Sequence, residues 1–159
     1  DIALGFTTVF WNTAWTSGQA PHTLGLLHDP QHPAFARFPS GGSTDWQWWE
    51  ALQGAKAMVL DGLPADVRPV VQPIDTWFEA RRLGAIVEGR LGDARIVVSS
   101  LNLDAAPDRL AATQLRSSLL AYMRSDAFDP PVTLEPDHVR ALAGLPFTAQ
   151  PLRTPSPDR

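Results

Sequence analysis

Leu83-Gly84-Ala85-Ile86-Val87-Glu88-Gly89-Arg90-Leu91 and Ala94-Arg95-Ile96-Val97-Val98-Ser99-Ser100-Leu101 are separated by one dipeptide, Gly92-Asp93. Both flanks are apolar and rich in β-branched side chains, which fit a pleated, half-buried surface. A Gly-Asp pair between two such runs signals a two-residue hairpin, because glycine takes the positive φ that a tight turn demands. The spacing therefore predicts strands over 83–91 and 94–101. Ile96-Val97-Val98 is continuous rather than alternating, the pattern of a strand buried on both faces.

On the C-terminal side a long helix is predicted, with Pro107 near its first position and an exit around Ser125. Ala111, Leu115, Ser118, Leu119 and Tyr122 recur at helical spacing and mark its buried stripe. Pro136 opens a last short helix ending at Gly144. Pro146, Pro151, Pro155 and Pro157 make 146–159 an extended tail.

On the N-terminal side, Val67 to Ile74 is extended but interrupted by Pro69 and Pro73, which suits an edge strand. Ala57-Met58-Val59-Leu60 reads as a strand closed by Asp61-Gly62. Thr44 with Gln47 three residues on has capping-box spacing, and predicts a helix to about Gln53 that ends at Gly54. Ser40-Gly41-Gly42-Ser43 reads as a flexible hinge, and Ala34 to Phe38 as one helical turn stopped by Pro39. Pro30 and Pro33 keep 28–33 irregular. Thr23 to Leu27 is a second apolar run, read as a buried strand, and Thr8 to Trp11 a first one entering a polar turn at Asn12-Thr13. Strands and helices in this order predict α/β layers in a single domain over 1–145. The first βα unit of a doubly wound domain is not visible, so the domain is expected to be incomplete at its N-terminus.

Composition narrows the function classes. At 44% hydrophobic and 19% charged the 159-residue chain is globular in character rather than disordered. Its net charge of −4 is scattered without a basic block, which argues against nucleic acid and against a polybasic membrane patch. With no cysteine, disulfides, thiolate zinc sites and cysteine nucleophiles are all excluded. No apolar run approaches the ~20 residues of a membrane span. The chain starts at Asp1 without a signal-peptide pattern, and is expected to be excised from a longer or processed polypeptide.

Side chains that carry chemistry are present, but no local pattern assembles them. His22, His28 and His32 with Asp29 could ligate a metal from loops, while Pro30 forbids His28 and His32 a shared helical face; the simpler reading is hydrogen bonding to loop backbone. Glycosidic cleavage needs two carboxyl groups roughly 5–10 Å apart. Glu50, Asp75, Glu79, Glu88, Asp104 and Asp108 are available, and no spacing selects a pair. Asp75 and Asp104 follow predicted strands, where α/β folds place ligand-binding groups, though Asp104 also suits a helix N-terminus. Ser99-Ser100 ends a strand without a Gly-x-Ser-x-Gly context, and the next histidine is His138. No phosphate-cradling glycine pattern occurs, and no cofactor or metal is expected.

All six tryptophans (Trp11, Trp15, Trp46, Trp48, Trp49, Trp77) lie in the first half of the chain. On a helix Trp46 and Trp49 share a face and Trp48 turns aside, so Trp46 and Trp49 are expected in the core and Trp48 at the surface. Exposed aromatic rings stack on sugars. Trp11, Asn12 and Trp15, with Trp48 and Asp75, are the candidate carbohydrate-binding residues.

Several longer stretches occur in one order. They are Phe10-Trp11-Asn12-Thr13-x-Trp15, His22-Thr23-Leu24-Gly25-Leu26-Leu27, His32-Pro33-x-Phe35-x-x-Phe38-Pro39 and Asp45-Trp46-Gln47-Trp48-Trp49, then Val71-Gln72-Pro73-Ile74-Asp75-Thr76-Trp77, Arg82-Leu83-Gly84 and Arg95 to Leu101. Over roughly 6–125 this series resembles the C-terminal region of bacterial glycoside hydrolase family 2 proteins, the β-galactosidase-like enzymes. The resemblance implies a flavodoxin-like α/β sandwich, similar to class I glutamine-amidotransferase-like and ThuA-like domains. It implies no active site here, since the amidotransferase cysteine is missing and a TIM barrel needs ~250 residues. It further implies a bacterial periplasmic or secreted enzyme whose catalytic and β-sandwich domains are the partners, with homo-oligomerisation and carbohydrate binding both compatible. The expected function is that of a non-catalytic accessory domain. A carbohydrate-binding module and a small serine or carboxylate hydrolase are the alternatives.

Overall fold

A computed structural model of the protein describes residues 2–4, 25–42, 45–75, 79–104 and 108–145. In chain order its elements are β1 (Ile2–Ala3), β2 (Leu26–His28), a 3-10 turn (Pro33–Phe35), α1 (Gln47–Leu52), β3 (Lys56–Val59), β4 (Pro69–Pro73), β5 (Leu83–Gly84), β6 (Ile86–Leu91), β7 (Ala94–Ser99), α2 (Leu110–Met123) and α3 (Pro136–Leu142).

The predicted hairpin is the centre of the fold. β6 and β7 pair antiparallel from Ile86 opposite Ser99 to Leu91 opposite Ala94. Gly92 has φ +58° and Asp93 does not share a positive φ, the combination a type II′ turn requires. The strand predicted over 83–91 bends at Ala85 and serves two sheets, β1-β3-β5 and β2-β4-β6-β7. Ala85 N–H donates to the Val71 carbonyl (2.8 Å) and its own carbonyl accepts from Ser100 N–H (2.9 Å), so the corner stays satisfied.

Alternation along β6 sorts the core into two layers. Ile86 packs into a cluster with Phe35, Trp48, Leu52, Leu115, Leu119 and Tyr122, the side covered by α1 and α2. Val87 belongs to a second cluster with Met58, Leu60, Val67, Leu134 and Leu142, the side of α3. The protein is thus mixed α/β. A flavodoxin-like sheet is built from parallel strands joined by crossover helices. The ladders between the described strands are all antiparallel instead.

Three strand expectations are corrected. β4 is central, between β2 and β6, and not an edge. It tolerates its prolines because Pro69 and Pro73 are its terminal residues, and the register shifts between Pro69 and Val71. Among the described strands β7 lies at an edge, and its Ile96, Val97 and Val98 are half-buried; the doubly covered positions are Ile86 and Val87 of β6. β2 is the other edge among the described strands, with Leu26 buried and Leu27 55% exposed. The strand expected over 8–11 and the tail over 146–159 lie outside the described residues.

The helices follow their sequence signals more closely. α2 buries Ala112, Leu115, Ser118, Leu119 and Tyr122, the expected stripe with Ala112 replacing Ala111. Ser118 Oγ donates to the Ala34 carbonyl (2.7 Å) and accepts from Arg37 N–H (3.1 Å), so this buried hydroxyl ties α2 to the 3-10 turn. α3 begins at Pro136 and is followed by Gly144 at φ +69°. α1 starts later than expected, with Trp46 as its N-cap and Gln47 as its first residue, and Gln47 Nε2 donates to the Pro39 carbonyl (2.8 Å); Thr44 lies outside the described residues. Nor is Ser40 part of a loose hinge, because its Oγ meets both Trp48 Nε1 (3.0 Å) and His28 Nε2 (2.8 Å).

The N-terminus of α2 receives its acid from a distance. Glu50 of α1 accepts from Ala111 N–H (2.7 Å) and Ala112 N–H (3.2 Å) with one carboxylate oxygen. A charged acceptor on orphan helix donors is stabilising through both hydrogen bond and dipole. Glu50→Ala is expected to cost about 1–2 kcal/mol, within the range for lost helix caps, read as a lower urea midpoint.

Candidate functional site

The edge strand β2, the turn after it and β6 border a cleft of about 470 Å³. Its walls carry His28, Asp29, His32, Asp66, Arg68, Gln72 and Glu88, with Leu27, Pro69, Val70, Pro131 and Val132 between them. Asp29 Oδ1 accepts from Gln31 N–H (2.9 Å), which turns the chain sharply after β2 and brings His32 toward β6.

Glu88 sits between two aromatic neighbours. Its Oε2 accepts from the Tyr122 hydroxyl (2.9 Å), and its Oε1 lies 3.9 Å from His32 Nε2. His32 Nδ1 accepts from Ala34 N–H (3.2 Å), so the proton of the neutral ring resides on Nε2, facing Glu88. The His32 ring also meets Tyr122 edge-on at 5.4 Å between centroids. Burial, then the hydrogen bond and charge of Glu88, push the Tyr122 phenol far above its ordinary range. Tyr122 is therefore a fixed donor to Glu88 and no proton shuttle near neutrality.

His28 is held by packing. Its ring lies 5.0 Å from Trp48 and 5.4 Å from Phe35, and burial lowers its pKa from 6.5 against the opposing pull of Asp45, the Gly41 backbone and Asp29. A folded-state value below the unfolded one means that protonation is easier in the unfolded chain. His28 hence contributes stability that is present above 6.5 and lost as pH falls through its folded-state pKa. Wild type is expected to lose more thermal stability than His28→Gln between about pH 7 and pH 5, measured by parallel melts.

The aromatic expectation inverts. Trp48 is fully buried, in edge contacts with Phe35 (5.7 Å) and Phe38 (5.2 Å), and offers no surface ring. Trp46 is 85% exposed and Trp49 37%, with their rings 6.4 Å apart and T-shaped. The short helix α1 buries the 48/51/52 stripe. Ala51 and Leu52, three and four residues after Trp48, were the available signal: that face is wholly apolar, while Glu50 and Gln53 accompany Trp46 and Trp49.

Asp75 is engaged as well. Its Oδ2 accepts from Arg81 Nε (2.7 Å) and Arg81 N–H (3.0 Å), and its Oδ1 from Arg81 Nη2 (3.1 Å), with the carboxylate side chain only 5% exposed. This pair raises the Arg81 pKa and closes the loop that contains Ala80 at φ +47°. Trp11, Asn12 and Trp15 lie outside the described residues, as does His22. Ser99 Oγ accepts from Leu101 N–H (3.3 Å), Ser100 Oγ donates to the Ala85 carbonyl (3.4 Å), and His138 Nδ1 accepts from Glu135 N–H (3.2 Å). Among the described residues no three His, Asp or Glu side chains are grouped to hold a metal ion, and no helix is long and apolar enough to cross a membrane.

Fold and site together define an antiparallel α/β domain in which Glu50, Asp75, Glu88, Ser99, Ser100 and His138 are each hydrogen-bonded within the chain. The family model that matches, over residues 1–144, is described as a domain of unknown function, DUF8487, and the chain belongs to that family. No curated protein matches it.

Proposed function

We propose that this chain is a non-catalytic accessory and interaction domain of a larger enzyme of the glycoside hydrolase family 2, β-galactosidase-like type. The motif series over 6–125 supports this reading. One structural observation carries it: the side chains best suited to chemistry are already committed. Glu88 is bonded to Tyr122, Asp75 to Arg81, Glu50 to the start of α2, and Ser99 and Ser100 to nearby backbone. The bacterial periplasmic or secreted setting, and partnership with catalytic and β-sandwich domains of the same enzyme, are part of the same proposal. A flavodoxin-like topology is not, given the antiparallel ladders. The purified chain should release no chromophore from nitrophenyl glycosides. Turnover abolished by Glu88→Gln or Asp75→Asn would overturn the reading.

A second reading, carbohydrate binding, is favoured by the exposure of Trp46, because a tryptophan ring open to solvent beside a second ring can stack on the C–H face of a sugar. The platform is then Trp46 and Trp49 in place of Trp48. Tryptophan fluorescence titrated with galacto-oligosaccharides to about 10 mM should respond in wild type and not in Trp46→Ala, since affinities weaker than about 1 mM are marginal for recognition. A flat wild-type signal removes this reading.

A further inference from the structure

Most arginines of the described residues have a partner for the guanidinium. Arg81 binds Asp75, Arg90 binds Asp129 and Arg140 binds Asp137. Arg82 reaches the Leu63 carbonyl, Arg95 the Phe128 carbonyl and Arg109 the Asn102 side chain. Among the described residues, Arg37, Arg68, Arg116 and Arg124 make no such contact. Three of these four, Arg37, Arg116 and Arg124, line one groove of about 410 Å³ on the outer face of α2. Among the described residues no carboxylate lines it, in a chain whose net charge is −4.

The groove has a second character. Leu120, four residues after Arg116 and four before Arg124, shares their face of the helix and is 40% exposed. Ser117 adds a hydroxyl between them. Arg37 is set beside α2 by its backbone, whose N–H donates to Ser118 Oγ and whose carbonyl accepts from Gln114 Nε2. The two helix arginines are thus rooted on either side of an apolar side chain, with roughly 12 Å of helix rise between positions 116 and 124. A compact anion such as phosphate would be better served by guanidinium groups converging on one point. An extended segment alternating carboxylates with apolar side chains matches both the spacing and the exposed leucine, and carboxylates take guanidinium forks in bidentate fashion.

We infer that this groove is a docking surface for an acidic, leucine-bearing protein segment. The inference rests on the accessory-domain reading and supplies the chemistry of the partner. The 159-residue chain is titrated by fluorescence anisotropy against a labelled peptide of alternating glutamate and leucine. Binding is expected below about 1 mM and should weaken as ionic strength rises from about 0.01 to 0.15 M. The double variant Arg116→Glu/Arg124→Glu should bind at least about tenfold more weakly, as expected of reversed charges at an interface. Leu120→Asp should also weaken binding, and Arg68→Glu should not. All these side chains are exposed, so unchanged circular dichroism and melting of each variant will show that the fold is retained.

No binding by wild type, or equal binding by the double variant, overturns the inference. So does full competition by equimolar inorganic pyrophosphate, which would make the groove a small-anion site, and so does saturable self-association that the double variant abolishes, which would make a second copy the occupant. Glycoside turnover by the chain would sink the accessory reading by a separate readout, while equal peptide binding by the double variant would sink the groove alone.

Discussion

Trp48→Ala is expected to cost about 3–5 kcal/mol, the range for emptying a buried tryptophan site. The residue has no solvent exposure and joins elements far apart in sequence: its ring meets His28 of β2, Phe35 of the 3-10 turn and Phe38 beyond it. Its Nε1 also donates to Ser40 Oγ, which in turn meets His28 Nε2. Truncation therefore removes packing from the whole helix-side cluster and takes away a hydrogen-bond partner of Ser40. Against a total stability of about 5–15 kcal/mol, such a loss removes about a fifth of it or more. Urea melts followed by far-UV circular dichroism test it directly. Trp48→Phe keeps much of the volume and loses the N–H, and should cost clearly less. A midpoint for Trp48→Ala within error of wild type would mean that Trp48 is not buried where the structure puts it.

Gly89→Ala is expected to destabilise by about 1–3 kcal/mol, through overpacking rather than backbone strain. A Cβ at this position would lie 2.6 Å from Leu134 Cδ1 and 2.7 Å from its Cγ, with the Val132 carbonyl oxygen at 3.2 Å. Leu134 has little room to retreat. It is 1% exposed, its N–H donates to the Arg90 carbonyl (2.6 Å), and Arg90 N–H donates to the Val132 carbonyl (2.7 Å). The glycine thus marks a close approach of segment 132–134 to β6. Gly92→Ala is the useful contrast, since a Cβ there meets nothing within 4 Å and only the φ of +58° opposes it. Leu134→Ala should partly relieve Gly89→Ala, so the two changes together should cost less than their sum. Strict additivity would refute the proposed contact.

The local signals were legible. Gly92-Asp93 marked its hairpin, the 3–4 spacing from Leu115 to Tyr122 marked the buried face of α2, and Pro136 with Gly144 bounded α3. The candidate site was much less so. Trp48 was expected at the surface and is buried, while Trp46, expected inside, is 85% exposed. A six-residue helix provides too little periodicity to choose between two faces when both carry tryptophan. Glu50 and Glu88 gain their roles from Ala111, Ala112 and Tyr122, which no spacing along the chain relates to them.

Backbone conformation of the hairpin and the two C-terminal helices was set by turn chemistry and side-chain periodicity, which act within a few residues and can be read in order. Strand order was not, since it made β4 central despite its prolines and β7 an edge despite its valines. Nor were the Asp75–Arg81 clasp, the glutamate at the start of α2 and the gathering of Arg37, Arg116 and Arg124 on one groove. Those depend on which surfaces meet after the chain closes on itself, and burial in the assembled core decides that collectively.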